Sequence, residues 1–493
     1  MQCGKNYIGR VYYEAESSLN KFYSINPSTE VILGEFSQSS QPQITLAVDT
    51  AKKAFQSWRK VSRVVRAEYF DTLCQLIKSK KDDLIRCISL ETGKTKNESL
   101  AEVNEALHMA QYTFGMGRML CGNLLASEIA EKETSIIRKP KGVVAIITPW
   151  NFPFAIAGFW LAAPAILEGN TVVFKPSEDT PMVGDMIAEL YDLAGFPPGV
   201  FNLIHGTGDI GEKLVKCESV NHICFTGSAE TGRKIRQICA DSWHKTCSCE
   251  MGSKSAVIVC KDANLKMAVN ACVSSAFKLS GQRCVSASRI IIEHKNFSEF
   301  ADLFVNKTLK LKVGDPFEED VDFGPLINKN QMDKVIRYNE MAMEDEYTQT
   351  LLQYTKLDRP GFFLTPHVYT TTWQKPEARE FLKNEVFGPH CAIIPVDDID
   401  EAIAVYNDTD YGLSLAVITE DFRIAKKVQQ ECDFGLGYWN GGTIAAESHS
   451  PFGGVKKSGY GGASAAATFD TVVNKVTWTT NYKEEISFPQ GLK

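Results

Sequence analysis

The chain has 493 residues, 53 basic and 60 acidic, with a formal net charge of -7. Hydrophobic residues make up 44% and charged residues 23%, the composition of a globular protein with material for more than one core. This balance excludes general electrostatic attraction to nucleic acid. The longest apolar stretch, around Phe154 to Leu167, is broken by Gly158 and Pro164, so no membrane span is expected. The opening MQCGKNYIGRVYYE lacks the charged head and apolar run of a secretory leader. Fourteen cysteines occur without a repeating spacing, which points to free thiols in a reducing cytoplasm. His244, Cys247 and Cys249 lie close together, but a second ligand pair is missing, so no metal site is expected.

Residues 44 to 130 read as helices. TLAVDTAKKAFQSW and RAEYFDTLCQLIKSKKDDLIRCISLETGK place apolar residues at three- and four-residue spacing. Thr45 or Asp49 is the candidate cap of the first, and Gly93 the stop of the second. The texture then changes. KGVVAIITPW, NTVVFKPSE, VFNLIHG and NHICFTGS are short runs of strand character, separated by helix-length segments. A second alternating region runs from SAVIVC (Ser255 to Cys260) through SRIIIE, CAIIPV and LSLAVIT to a helix near Arg423 to Glu431. Strands alternating with helices predict an α/β protein with parallel, doubly wound sheets. SEIAEKETSIIRKP (Ser127 to Pro140) and TFDTVVNKVTWTTNY read as extended ribbons outside this alternation.

The chemistry concentrates in a few phrases. SGQRCVSASR contains Cys284, preceded by Gly281, which lets backbone approach a substrate closely. CEMGSK contains Glu250. A thiol nucleophile and a separate carboxylate base suit thioester chemistry: one captures a carbonyl, the other activates water. On its own a cysteine is more often a small buried hydrophobe. Two glycine-rich phrases compete for a dinucleotide pyrophosphate. HGTGDIG carries G-x-G-x-x-G at Gly206, Gly208 and Gly211 after a strand, without a clear acidic residue about 20 positions on. FTGSAETG also joins a strand to a helix, where exposed amides and the helix dipole attract phosphate.

With TPWNFP (Thr148 to Pro153), EVFGP (Glu385 to Pro389) and SPFGGVKKSG (Ser450 to Gly459), these phrases resemble the NAD(P)-dependent aldehyde dehydrogenase family, in order from about Ile25 to Thr480. The branch it is most similar to is that of semialdehyde dehydrogenases of the 2-oxoglutarate or succinate semialdehyde type. The resemblance implies a Rossmann-like NAD(P)-binding domain (1–126 and 141–253), a catalytic α/β domain (254–465) and an oligomerisation ribbon (127–140 and 466–493) joining a homodimer or homotetramer. It implies that Cys284 attacks the aldehyde, with the oxyanion held by Asn151 and the Cys284 amide, and that Glu250 activates the hydrolytic water. Cofactor contacts fall to Thr148, Pro149 and Trp150; to Lys175, Ser177 and Glu178; to Phe225, Thr226, Gly227 and Ser228; to Met251 and Gly252; and to Glu385 and Phe387. Gly206 and Gly211 then shape a turn beside the adenosine. Lys175 and Glu178 match the adenosine-ribose ligands, and a carboxylate at 178 favours NAD over NADP. Two departures stand out. Met251 and Ser253 replace the leucine and second glycine of E-L-G-G-K, and YGGASAAATFD replaces the family's G-x-G-R-E.

The expected substrate is a small aldehyde. Lys278 stands where many members carry an aromatic residue, and a cation there suits a carboxylated substrate, giving a dicarboxylic semialdehyde. The bland alternative has Lys278 pointing to solvent. Phe159 and Arg283, with Ile156 and the loop Thr443 to His449, are the other expected pocket residues. Two further readings remain: a coenzyme-A-acylating or reductive relative, against which Glu250 speaks, and a catalytically silent homologue.

Overall fold

The computed structural model describes residues 2–14 and 20–488. Among them the chain builds two large twisted sheets and a small ribbon. The first sheet has eight strands in the order Gly459–Tyr460, Thr246–Glu250, His222–Thr226, Val143–Ile147, Thr171–Lys175, Phe201–Leu203, Asn6–Ile8 and Val11–Tyr13. Its five middle strands are parallel. Strands such as Val143–Ile147 and His222–Thr226 are buried at every position, as expected where helices cover both faces. The second sheet has seven strands, from Thr348–Leu352 at one edge to Leu436–Trp439 at the other, with Ala256–Val259 and Arg289–Glu293 in its interior. The ribbon pairs Val473–Asn481 with Lys132–Pro140 over nine residues, and Lys132–Pro140 with Gly122–Leu125. The ribbon therefore begins upstream of residue 127, and Gly459–Tyr460 adds to the first sheet by pairing with Thr246–Glu250.

Four helices precede the first sheet's parallel strands: α1 (Gln41–Trp58), α2 (Arg63–Ser79), α3 (Lys81–Thr92) and α4 (Lys96–Met116). The helical region thus ends at Met116 and not near 130. Neither Thr45 nor Asp49 caps α1. Ser40 does, accepting from the Gln43 amide in a capping box with Pro42 beside it. The single long helix expected after Arg63 is two, broken at Lys80. Gly93 ends α3 in the left-handed conformation (φ 73°), as read from the sequence. After Asn151 the chain enters a π-helical segment, Ala155–Leu161, whose side chains are all buried.

The largest apolar core lies between the first sheet and α2, α3 and α4, with Trp58, Phe70, Phe154 and Tyr191 at its centre. Two further cores flank the second sheet. The loops leaving the C-terminal ends of the first sheet's parallel strands meet the segments entering the N-terminal ends of the second sheet's, where Ser253 leads into Ala256–Val259, Cys284 into Arg289–Glu293 and Glu385 into His390–Val396.

Candidate active site

Cys284 follows three consecutive left-handed residues: Leu279 (φ 55°), Ser280 (φ 55°) and Gly281 (φ 69°). A Cβ on Gly281 would lie 2.3 Å from the Gly388 carbonyl oxygen, so only glycine fits. The run is tied down by Ser280 Oγ donating to the Gly324 carbonyl (2.7 Å) and by the Ile327 amide donating to Gln282 Oε1 (3.0 Å). This leaves Cys284 half-buried at a loop tip. Asn151 Nδ2 donates to the Gln282 carbonyl at 3.0 Å, so the two loops expected to share an oxyanion do meet.

Burial pushes the Cys284 thiol well above its ordinary range, with the carboxylates of Glu250 and Glu385 adding to the effect and Arg283 opposing it. Glu250, at the end of its strand, is 1% exposed, and among the described residues no side chain donates to its carboxylate, which the Gly454 backbone amide alone favours in its ionised form. Burial raises it well above an ordinary glutamate. Such a carboxylate is a strong base once ionised, the property needed to take a proton from water.

Glu385 is held from the other side. The Ser253 amide donates to Glu385 Oε1 at 2.7 Å, and burial pushes its carboxyl up to about 7. A Cβ on Gly252 would lie 2.3 Å from Glu385 Oε2, so glycine is what lets this carboxylate in. Ser253, the departure from the family phrase, occupies no forbidden space. Its hydroxyl is buried, donates to the Cys284 carbonyl and shares a 2.7 Å bond with Ser255 Oγ. Met251 packs against Gly232, and Lys254 Nζ donates to the carbonyls of Phe381 and Asn384. Trp150 and Phe387 meet edge to face with centroids 5.5 Å apart, joining TPWNFP to EVFGP.

The cofactor residues expected from sequence gather along the ends of the first sheet. Thr226 ends one strand, and Gly227 and Ser228 lead into the helix Ala229–Ala240, which Ser228 caps. Gly227 leaves room for the Phe225 ring, 2.5 Å from where its Cβ would sit. Thr148 and Thr226 each present a buried hydroxyl with no hydrogen-bond partner, and Pro149 lies beside Thr148. Lys175 Nζ donates to the carbonyls of Pro176 (2.6 Å) and Gly206 (2.7 Å), and lies 3.9 Å from Glu178. Burial pushes this lysine down to about 8. Gly211 packs on the Lys175 stem, so G-x-G-x-x-G shapes the turn that covers this lysine. Ser177 is buried and accepts from the Asp179 amide. The strand-to-helix turn at Gly227, the orphaned hydroxyls of Thr148 and Thr226 at the ends of neighbouring strands, and the carboxylates of Glu178 and Glu385 on separate segments fit a dinucleotide.

A cavity of about 830 Å³ opens beside the Cys284 loop, with Phe152, Lys278, Arg283 and Ile444 among its walls. The Arg283 guanidinium sits 5.0 Å from the Phe152 ring centroid, and its Nε is buried without a partner. Lys278 is half-buried, neither sealed in nor pointing freely to solvent, and reaches the Asp322 carbonyl only at 3.5 Å. The loop Thr443 to His449 contributes Ile444, Ala446, Glu447, Ser448 and His449, as expected. Phe159 corrects the reading. It is fully buried, packs on Phe154 in the core and does not line this cavity, because the π-helical segment turns it inward. Phe152 takes its place. Sequence reasoning also missed Glu98, Glu102 and Glu105 of α4. Their helical i, i+4 and i+7 spacing was visible, but no local signal says which face of α4 meets the catalytic loops.

The described cysteines are free thiols, and no helix among the described residues is long and apolar enough to cross a membrane. The family model described as the aldehyde dehydrogenase family matches residues 12–477. The α-ketoglutaric semialdehyde dehydrogenase of Bacillus subtilis (strain 168) is 33% identical over 433 residues, covering 87% of each chain. The 4-trimethylaminobutyraldehyde dehydrogenase of Mus musculus is 31% identical, covering 94% of each. Betaine aldehyde dehydrogenase from Staphylococcus aureus, solved in complex with NAD+, superposes with a TM-score of 0.92 at 28% identity, covering 98% of this chain and 95% of its own. PnpE in complex with nicotinamide adenine dinucleotide gives a TM-score of 0.93 at 30% identity, covering 99% of both.

Proposed function

The chain belongs to the aldehyde dehydrogenase family, and we propose that within it Cys284 is the nucleophile, Glu250 the base, and the substrate an aldehyde with an anionic far end. Its reaction is the NAD(P)-dependent oxidation of an aldehyde to the carboxylic acid. NAD(P)+ supplies the hydride acceptor, and the residues that would hold it are Thr226 to Ser228, Lys175, Glu178 and Glu385. Cys284 Sγ, as the thiolate after its proton has passed to solvent, bonds to the aldehyde carbon as the C=O π pair moves onto oxygen. The oxyanion that develops is stabilised by Asn151 Nδ2 and the Cys284 amide. Hydride then leaves the carbon, and a thioester remains on Sγ. Glu250 takes a proton from water, whose oxygen attacks the thioester. The C–S bond breaks and the acid departs.

The observation that carries this reading is the buried Glu250, to which no side chain among the described residues donates. An enzyme that passes its acyl group to coenzyme A has no need of such a base. NAD is favoured over NADP because Lys175 is already committed to two carbonyls, leaving Glu178 to repel a 2'-phosphate. The anionic substrate rests on Lys278 and Arg283 lining one cavity, Arg283 with an uncommitted Nε. Among the relatives' names, α-ketoglutaric semialdehyde has an anionic far end and 4-trimethylaminobutyraldehyde a cationic one, and the two cations of this cavity select against the second. Glu98, Glu105 and Glu447 line the same cavity: Glu98 is committed to Leu279 and Thr95, Glu447 lies 3.2 Å from His449, and Glu105 opposes the two cations when ionised. The test is the kcat/KM ratio for succinic semialdehyde against hexanal. Lys278→Ala and Arg283→Ala are expected to lower it by about 10-fold or more. An unchanged ratio in both variants sinks the anionic pocket.

We also propose a cytoplasmic homodimer or homotetramer assembled through the ribbon. Leu124, Leu125 and Trp478 are exposed on it, and Trp439 is exposed on the edge strand of the second sheet.

A further inference from the structure

Two carboxylates on one face of α4 are buried and take no part in the chemistry described above. Glu98 and Glu102 are one helical turn apart and 8% and 0% exposed. Glu102 Oε1 accepts the amides of Phe154 (2.8 Å) and Ala155 (3.1 Å), at the entry to the π-helical segment that follows Asn151. Its other oxygen accepts from Lys94 Nζ, which itself lies 4.0 Å from the Phe152 ring centroid. Glu98 Oε1 accepts the Leu279 amide at 2.8 Å, the first of the three left-handed residues leading to Cys284. Its other oxygen accepts from the backbone and hydroxyl of Thr95, both at 3.1 Å.

One rigid helix therefore holds the backbone of both catalytic loops. Left-handed leucine and serine are costly conformations that persist only where the surroundings enforce them. The Glu98–Leu279 bond is a charge-assisted restraint on the first of them. Buried carboxylates are expensive and need several donors, which these two have.

We propose that Glu98 and Glu102 are positioning residues. They fix the Asn151 loop against the Cys284 loop, and so set the distance between oxyanion donor and nucleophile. This rests on the roles assigned above to Cys284 and Asn151.

The test compares Glu98→Gln with Glu98→Asp in the full-length enzyme. Glutamine keeps an oxygen that reaches the Leu279 amide but loses acceptor capacity at the Thr95 cap. Aspartate keeps charge at the helix N-terminus but is one methylene too short for Leu279. Both kcat and the rate of Cys284 alkylation by iodoacetamide, the latter measured without aldehyde or cofactor, are read beside thermal melting. Glu98→Gln is expected to melt earlier yet hold both rates within about 3-fold of the parent. Glu98→Asp is expected to lose about 10- to 100-fold in kcat, with slower alkylation. Aspartate with parental rates, or glutamine impaired as much as aspartate, overturns the proposal. A parent that alkylates at Cys284 but oxidises no aldehyde fails the functional reading alone, and the alkylation rates still decide the positioning one. Should Glu98→Asp not fold, Glu102→Gln and Glu102→Asp give the same comparison at the Phe154 and Ala155 amides.

Discussion

Replacing Gly252 by alanine inserts a Cβ 2.3 Å from Glu385 Oε2 and 2.9 Å from its Cδ. Ordinary contact begins near 3.4 Å, so the carboxylate must retreat by about 1 Å. The obstructing atoms are the end of a flexible side chain, so the fold absorbs the change and thermal stability falls little. Function does not absorb it. The retreat strains the 2.7 Å bond from the Ser253 amide that fixes Glu385, one of the residues proposed above to hold the cofactor. A displacement of about 1 Å at a positioning group costs up to ~100-fold in rate, and a 10- to 100-fold loss corresponds to ~1.4–2.7 kcal/mol of barrier. The assay is steady-state NADH formation at saturating aldehyde, with NAD affinity by titration and melting in parallel. Gly252→Ala is expected to lower kcat by about 10- to 100-fold, weaken NAD binding and leave melting nearly unchanged, with Glu385→Gln showing a similar pattern. Parental kcat and parental NAD affinity in Gly252→Ala would refute the assignment of Glu385 as the anchor.

Two further outcomes follow from the same geometry. Ser253→Ala removes the donor to the Cys284 carbonyl and a partner of Ser255, leaving buried groups unpaired. Stability should fall by ~1–3 kcal/mol in denaturant titration, and an alanine variant as stable as the parent would contradict that bond. Burial pushes Glu105 up to about 7 while Arg283 opposes it. Below that pH Glu105 is neutral and Arg283 is free to meet a substrate carboxylate; above it the new anion competes. KM for succinic semialdehyde should therefore rise between about pH 6 and pH 8 while KM for hexanal does not, and Glu105→Gln should flatten the rise. Parallel profiles for the two aldehydes would contradict this arrangement.

The parts of the fold that were legible in the sequence are those with local causes. Fully apolar β-branched runs, a glycine at the end of α3 and the alternation of strands with helix-length segments all depend on neighbours in the chain. The phrases around Cys284, Glu250, Asn151 and Glu385 were legible as a set through the family resemblance, and the structure joins their loops by bonds from Asn151 to Gln282 and from Ser253 to Glu385 and Cys284. What escaped depends on distant partners. Nothing local in Lys80 announces the break between α2 and α3. Phe159 looks like a pocket residue until the π-helical segment rotates it into the core. Ser253 reads as an intrusion until the Cys284 carbonyl is found within reach of its hydroxyl. Glu98 and Glu102 look like solvated charges on an amphipathic helix, and only the docking of two loops on that face reveals them as buried acceptors.

The central claim is a thioester on Cys284 released by water that Glu250 activates. The most direct measurement is rapid mixing of the Glu250→Gln variant with NAD and aldehyde, followed by intact-mass analysis of the quenched protein. The expected result is a burst of about one NADH per active site, an acyl adduct that maps to Cys284, and turnover slowed by about 100- to 10,000-fold. Parental steady-state turnover without a burst or an adduct would contradict it.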